Sequence, residues 1–243
     1  MTLVLLIMAL LVLPHLWTAG LVYGGQFEHW SRARWDSAGL APHPATTAEP
    51  VIQVYAARAW GWKGIFGVHT WLVTKPAGAD AYTRYEVVGW GVRRGAPAVR
   101  TNMRAVDGYW AGNAPELLLD RRGPEAAGLI EAIEPAIAAY PFNDRYVTWP
   151  GPNSNSFVAH IARAVPELGL EMSPLAVGKD YIGNGILART PSGTGWQFSL
   201  FGVLGLSLAL AEGLELNVLG LTVGLDPDDL AIKLPGIGRL GVL

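Results

Sequence analysis

Residues 149–160, WPGPNSNSFVAH, join a braked turn to the start of a helix, and the reading of the whole chain turns on them. Pro150, Gly151 and Pro152 break any preceding regular structure, and Asn153 continues the turn. From Ser156 onward the apolar residues Phe157, Val158, Ile161, Ala162 and Val165 mark one face of a helix of about three turns. Pro166 disfavours helical geometry at Val165 and ends it there. Asn153, Ser154, Asn155 and Ser156 are all good N-caps, and capping alone accounts for any one of them. A hydroxyl at a helix start also lies beside free N–H groups and the positive end of the helix dipole. The N–H groups of residues 155–157 are thus placed to hold a developing oxyanion. A serine in that position still needs a base, because its hydroxyl is not ionised near neutral pH.

The base is sought upstream. VIQVYAARA from Val51 reads as a strand, Trp60 to Gly64 as a loop, and IFGVHTWLV, residues 65–73, as a second strand. The turn at residues 75–80 and the return strand YTRYEVVGWG, residues 82–91, complete a β-hairpin. With the hairpin centred near Gly78, His69 lies opposite Glu86 or Val87, so Glu86 is placed to orient the imidazole. A slip of one residue would put the two on opposite faces. A histidine inside a strand is otherwise a packed, hydrogen-bonded core residue.

Residues 1–23 carry no charged side chain, and their length suits one bilayer crossing of about 20 residues. No basic start or small-x-small cleavage site marks a signal peptide, so an uncleaved anchor is expected. Arg32 and Arg34 follow it and, taken alone, favour a cytoplasmic body. Residues 24–50 read as a tether rich in Gly, Pro and Trp.

Residues 92–123 read as an irregular arginine-bearing stretch with a short strand, ELLLD. A helix follows from Pro124 to Tyr140, divided or kinked at Pro135. DRYVTW, residues 144–149, reads as a short strand. Beyond the central helix, Gly178-Lys179 lacks the G-x-x-x-x-G-K-[ST] order of a phosphate loop. From Trp196 apolar residues alternate through Phe198 and Leu200, then Leu204 to Leu210, then Leu214 to Val218. That period of two predicts a β-meander in preference to a second transmembrane helix.

The 243 residues are 51% hydrophobic and carry a net charge of −2 without a basic cluster, which argues against a nucleic-acid partner. The absence of cysteine removes disulfides, thiolate metal sites and a cysteine nucleophile. Ten tryptophans suit core and lipid-facing packing, with a membrane interface or sugar stacking as other uses. A metal site from His69, His160 and Glu86 lacks any H-E-x-x-H spacing, and no metal or cofactor is expected.

Several stretches together, among them VYAARAWGWKGIFGVHTWLV, PELLLDRRGPEA, WPGPNSNSFVAHIARAVPELGL and TPSGTGWQFSLFG, resemble the uncharacterised bacterial family known as domain of unknown function 3750. The resemblance runs from about Val51 to the C-terminus. More distantly, a strand histidine, a return strand and then Asn-nucleophile-x-x-Phe at a helix start is similar to circularly permuted papain-like enzymes, including cell-wall amidases and lecithin:retinol acyltransferase-like proteins. That resemblance implies Ser154 in place of the usual cysteine, His69 as base and Glu86 as third member. It leaves open a serine hydrolase or an inactive relative that still binds.

The expectation is therefore an α+β protein with a permuted papain-like core at residues 51–194, an antiparallel sheet, a C-terminal β-meander at 195–243 and one N-terminal transmembrane helix. Its expected function is acyl transfer in the bacterial cell envelope by Ser154, His69 and Glu86, with Asn153, Asn155 and Ser156 at the substrate. The substrate would be an amide or ester of peptidoglycan, lipid or lipoprotein. The body would be periplasmic, on the inner membrane. The rival is a non-catalytic envelope binding module on the same fold. The distance between Ser154 and His69 separates them.

Overall fold

The computed structural model describes residues 2–24 and 29–241, and in the first segment the side chains of residues 9–21. The chain is α+β and built on two antiparallel sheets. The first has five strands: β1 (Val51–Arg58), β2 (Val68–Lys75), β3 (Thr83–Val87), β4 (Val99–Thr101) and β5 (Glu116–Arg122). Their order is β4-β3-β2-β1-β5.

Helix α2 (Pro124–Ala138) and helix α3 (Ser154–Ala164) cover one face of this sheet. Ile133, Phe157, Val158 and Ile161 from the helices pack on Ile52, Val54, Val68 and Leu72 from the strands. The opposite face carries Tyr55, Ala57, Trp71 and Val73, covered by Trp110 and by Trp30 and Trp35 from the N-terminal segment. With both faces covered, β2 is buried at every position, and β1 at all but its last. This explains why VIQVYAARA alternates so weakly in sequence.

The second sheet is a meander of seven strands: β6 (Leu187–Arg189), β7 (Gly195–Leu200), β8 (Leu204–Ala209), β9 (Gly213–Val218), β10 (Leu221–Asp226), β11 (Ala231–Leu234) and β12 (Gly238–Leu240). The sheet thus begins at Leu187, eight residues before the expected border. Its register aligns Arg189, Trp196, Leu208, Leu214, Leu225, Ile232 and Leu240 in one row across all seven strands. Leu187, Phe198, Leu206, Leu216 and Val223 form a second row, and Leu200, Leu204, Val218 and Leu221 a third. Along β7, β8 and β9 the residues between these positions are the buried ones: Gln197, Ser199, Ser207, Glu215 and Asn217. The sheet turns its polar side inward and its apolar side outward.

Buried charges answer one another beneath it. Glu215 accepts from Lys179 Nζ at 2.6 Å and from Lys233 Nζ at 2.9 Å. Lys179 also meets Asp180 at 3.0 Å, Lys233 meets Glu171 at 2.6 Å, and Asn217 donates to Asp180. Burial alone would lower the Lys179 ammonium, but Asp180 and Glu215 outweigh it and raise it well above the ordinary lysine value.

Three expectations change. Residues 144–149 form no strand, because the Val147 N–H turns to Pro152 O and closes the loop on itself. Residues 29–50 are not a free tether: Trp30 and Trp35 pack against the first sheet, and the N–H groups of Leu40 and Ala41 bind Asp107. Gly25 of the expected tether lies outside the described residues. The N-terminal stretch is a helix, α1 (Thr2–Gly24), but no helix among the described residues is long and apolar enough to cross a membrane. Leu11, Pro14, His15 and Thr18 are its buried stripe, with His15 against Phe66.

Candidate functional site

Asn153 is the N-cap of α3. Its Oδ1 accepts from the N–H groups of Asn155 at 2.9 Å and Ser156 at 3.1 Å, and Ser156 Oγ accepts from Asn153 N at 2.7 Å. This reciprocal box satisfies the free donors of the helix start. The Phe157 N–H is taken by Asn153 O. The three N–H groups expected to hold an oxyanion are therefore all occupied. Asn155 anchors the helix to the sheet: its Oδ1 accepts from Thr70 at 2.9 Å, and its Nδ2 donates to Val68 O and Val177 O. Asn153, Asn155 and Ser156 are thus each held by the local structure, and Asn153 and Asn155 also line the cleft. Ser154 differs. It is buried, lines a cleft, and its hydroxyl has no hydrogen-bond partner among the described residues.

The first sheet supplies His69 and Glu86. Leu72 pairs with Tyr85, and continuing that register puts His69 opposite Val88, one residue beyond Val87 and two beyond Glu86. The two side chains share a face and meet, His69 Nε2 donating to Glu86 Oε2 at 2.9 Å. Arg84, on the same strand face as Glu86, donates to Oε2 at 3.1 Å and lies over Trp71 at 4.1 Å. His69 stacks on Trp110 with ring centroids 3.6 Å apart.

Burial holds the His69 imidazole below its ordinary value, against the opposing pull of Glu86. Burial would raise the Glu86 carboxyl, but the bond from His69 and the charge of Arg84 hold it low. The imidazole is therefore neutral with its proton on Nε2, and Nδ1 is left as an acceptor. Nδ1 has no partner among the described residues.

Ser154 and His69 border the same cleft, yet no hydrogen bond joins them among the described residues. The reason is strand parity. Val68 and Leu72 point to α3, so His69, between them, points to the other face with Trp71. His160, the remaining candidate ligand, bonds to Ala136 O on α2. Elsewhere Glu171, Asp226 and Asp229 come together, but each is already ion-paired, Glu171 with Lys233 and the two aspartates with Arg239.

The cleft measures about 720 Å³, within the usual range for small-molecule sites. Tryptophans dominate its wall: Trp30, Trp60, Trp62, Trp90, Trp110 and Trp149. Trp30 stands edge-on to Trp60, Trp90 and Trp110. Sequence reasoning counted these residues without gathering them, since they come from five separate segments. Arg84 was also missed, although its two-residue spacing from Glu86 on a strand was a usable signal.

A family model described as "Protein of unknown function (DUF3750)" matches residues 49–181, more than half of the chain. The chain belongs to this family. The DUF3750 region contains His69, Glu86 and Ser154 and ends just after Lys179 and Asp180, before the second sheet. No curated protein and no solved structure matches the chain.

Proposed function

We propose that the protein binds an amphipathic, lipid-like molecule in the tryptophan-walled cleft, with a hydroxyl or amide N–H of the ligand donated to His69 Nδ1. The observation that carries this reading is the asymmetry of the cleft. Its wall is aromatic, while two unpartnered polar atoms, His69 Nδ1 and Ser154 Oγ, belong to residues lining it. The aromatic wall supplies the contact area, and the fixed tautomer supplies orientation. This is the binding-module alternative, with the ligand class narrowed from peptidoglycan, lipid or a protein partner to lipid.

Quenching of tryptophan fluorescence by dodecanol tests it. Saturable quenching is expected, with affinity lowered about 3- to 10-fold in His69→Ala, the worth of one neutral hydrogen bond. A linear, non-saturating response to dodecanol refutes the reading.

One observation favours a second reading. A neutral His69 held by Glu86 has the form of a general base, and Ser154 is the free hydroxyl in the same cleft. On this reading, which keeps the papain-like relation, Ser154 attacks an ester or amide. It requires Ser154 to come within reach of His69 and an oxyanion donor other than residues 155–157. Labelling by a fluorophosphonate probe, lost in Ser154→Ala and in His69→Ala, would establish it. The absence of labelling in the unmodified chain leaves binding alone.

A further inference from the structure

We propose that the outer side of the second sheet, together with the outward side of α1, is a membrane-embedding surface that seats the protein in one leaflet. This inference stands whether or not the cleft takes a ligand. One row of side chains crosses the outer face from β6 to β12 and two more cross it as far as β10, and the one charged member is Arg189. At strand spacings of about 4.8 Å and residue rises of about 3.3 Å, the face spans on the order of 34 by 20 Å. A monomer's largest apolar patch is usually about 300–600 Å². Leu208 is 67% exposed and Leu206 49%.

A second, independent surface has the same chemistry. On α1, Leu13, Leu16, Trp17 and Leu21 are each more than 60% exposed, on the side opposite the buried stripe. The two surfaces adjoin. The stripe of α1 meets the turn after β11, where Gly236 lies against His15 and Thr18. The turns after β7 and β9 lie at that same end of the meander, and they expose Phe201 and Leu219. Leu219 and Leu221 also line the cleft, as do Trp62 and Phe66.

The apolar surface therefore runs from helix to cleft mouth to sheet without a flat boundary. A second copy stacked face to face would cover the sheet and leave α1, Phe201 and Leu219 in water. A lipid phase covers all of them. The one charge fits as well: the Arg189 guanidinium lies over the Trp196 ring at 4.4 Å, on an edge strand. A long cationic side chain laid along an aromatic ring at the rim is how such residues reach the headgroup layer. Tryptophans favour that layer too, and Trp17, Trp62 and Trp196 are each more than half exposed.

The chain has no cysteine, so one introduced thiol reports from one place. The full chain carrying Leu208→Cys is labelled with an environment-sensitive nitrobenzoxadiazole dye and mixed with phosphatidylcholine vesicles. A second sample carries the dye at Ala127→Cys, exposed on α2. The expected result is a blue shift at position 208, quenched by lipids brominated on the acyl chain, and no change at position 127. Adding Leu206→Lys and Leu214→Lys should weaken this signal on the order of tenfold per lysine. Both positions are exposed, and an unchanged circular dichroism spectrum checks the fold. A dye at position 208 that ignores vesicles overturns the proposal. So does a lipid-independent blue shift that follows protein concentration, which would assign the face to a second copy.

Discussion

The two sheets use the same β-pairing rules and reach opposite solutions. In the first, α2 and α3 close one face and the tryptophan-rich segments the other, so apolar strands are buried on both sides. In the second, the interior is an ion-pair network and the leucines point outward. An alternating sequence establishes that one face of a strand is apolar. It does not establish that the apolar face is the inside.

The sharpest test of this contrast is Glu215→Gln. It removes the charge that two buried lysines share, and breaking a buried pair in this way costs about 3–5 kcal/mol. The urea midpoint should fall accordingly. A loss below about 1 kcal/mol would mean that the second sheet does not rest on its charges.

In the first sheet the corresponding load is carried by carbon. Phe157→Ala should cost about 3–5 kcal/mol by the same measurement. Next comes Asn153→Ala, which removes the N-cap and the bonds from its amide to the carbonyls of Thr148 and Val177, the latter keeping Asn155. A loss of about 2 kcal/mol is expected by calorimetry. Leu206→Ala on the outer face should change stability by no more than about 0.5 kcal/mol in lipid-free buffer. An equivalent large loss there would show that the face is covered in water after all.

The pH dependence refines the picture of the first sheet. The folded state holds both His69 and Glu86 below their ordinary values. For each, the unfolded chain binds its proton more readily, so stability falls as pH drops: first below about 6.5 for His69, then below about 4.3 for Glu86. His69→Gln should remove the upper of the two steps in a pH series of melting temperatures. Dodecanol binding should weaken on the same acid side, as Nδ1 gains a proton and ceases to accept.

Much of the fold was legible. Pro150 to Pro152 and the NSNS run announced α3, the Gly78 hairpin brought His69 toward Glu86, and Leu204 to Leu210 announced strands. What stayed hidden depended on facing. β2 is buried at every residue, so its pattern carried no cue to whether His69 or Val68 looks toward α3. That one bit decides whether Ser154 and His69 share a face. The capping role of Asn153 was visible in its type. That it would also take the N–H groups meant for an oxyanion was not, since a side chain's choice between partners is made by the surrounding packing. The inverted polarity of the meander was hidden for a related reason. Lys179, Asp180 and Glu171, which make a polar interior tolerable, lie in segments remote from the strands they serve.

The family match stops at residue 181, yet two of the last residues inside it, Lys179 and Asp180, grip Glu215 and Asn217 beyond it. The border drawn by sequence similarity is therefore no seam along which the molecule can be parted. A chain cut there would keep the matched region, but Lys179 would lose Glu215 and Asp180 would lose Asn217, leaving the two to pair only with each other. Inheritance and folding divide this protein at different places, and the second sheet is as much a foundation of the first half as an addition to it.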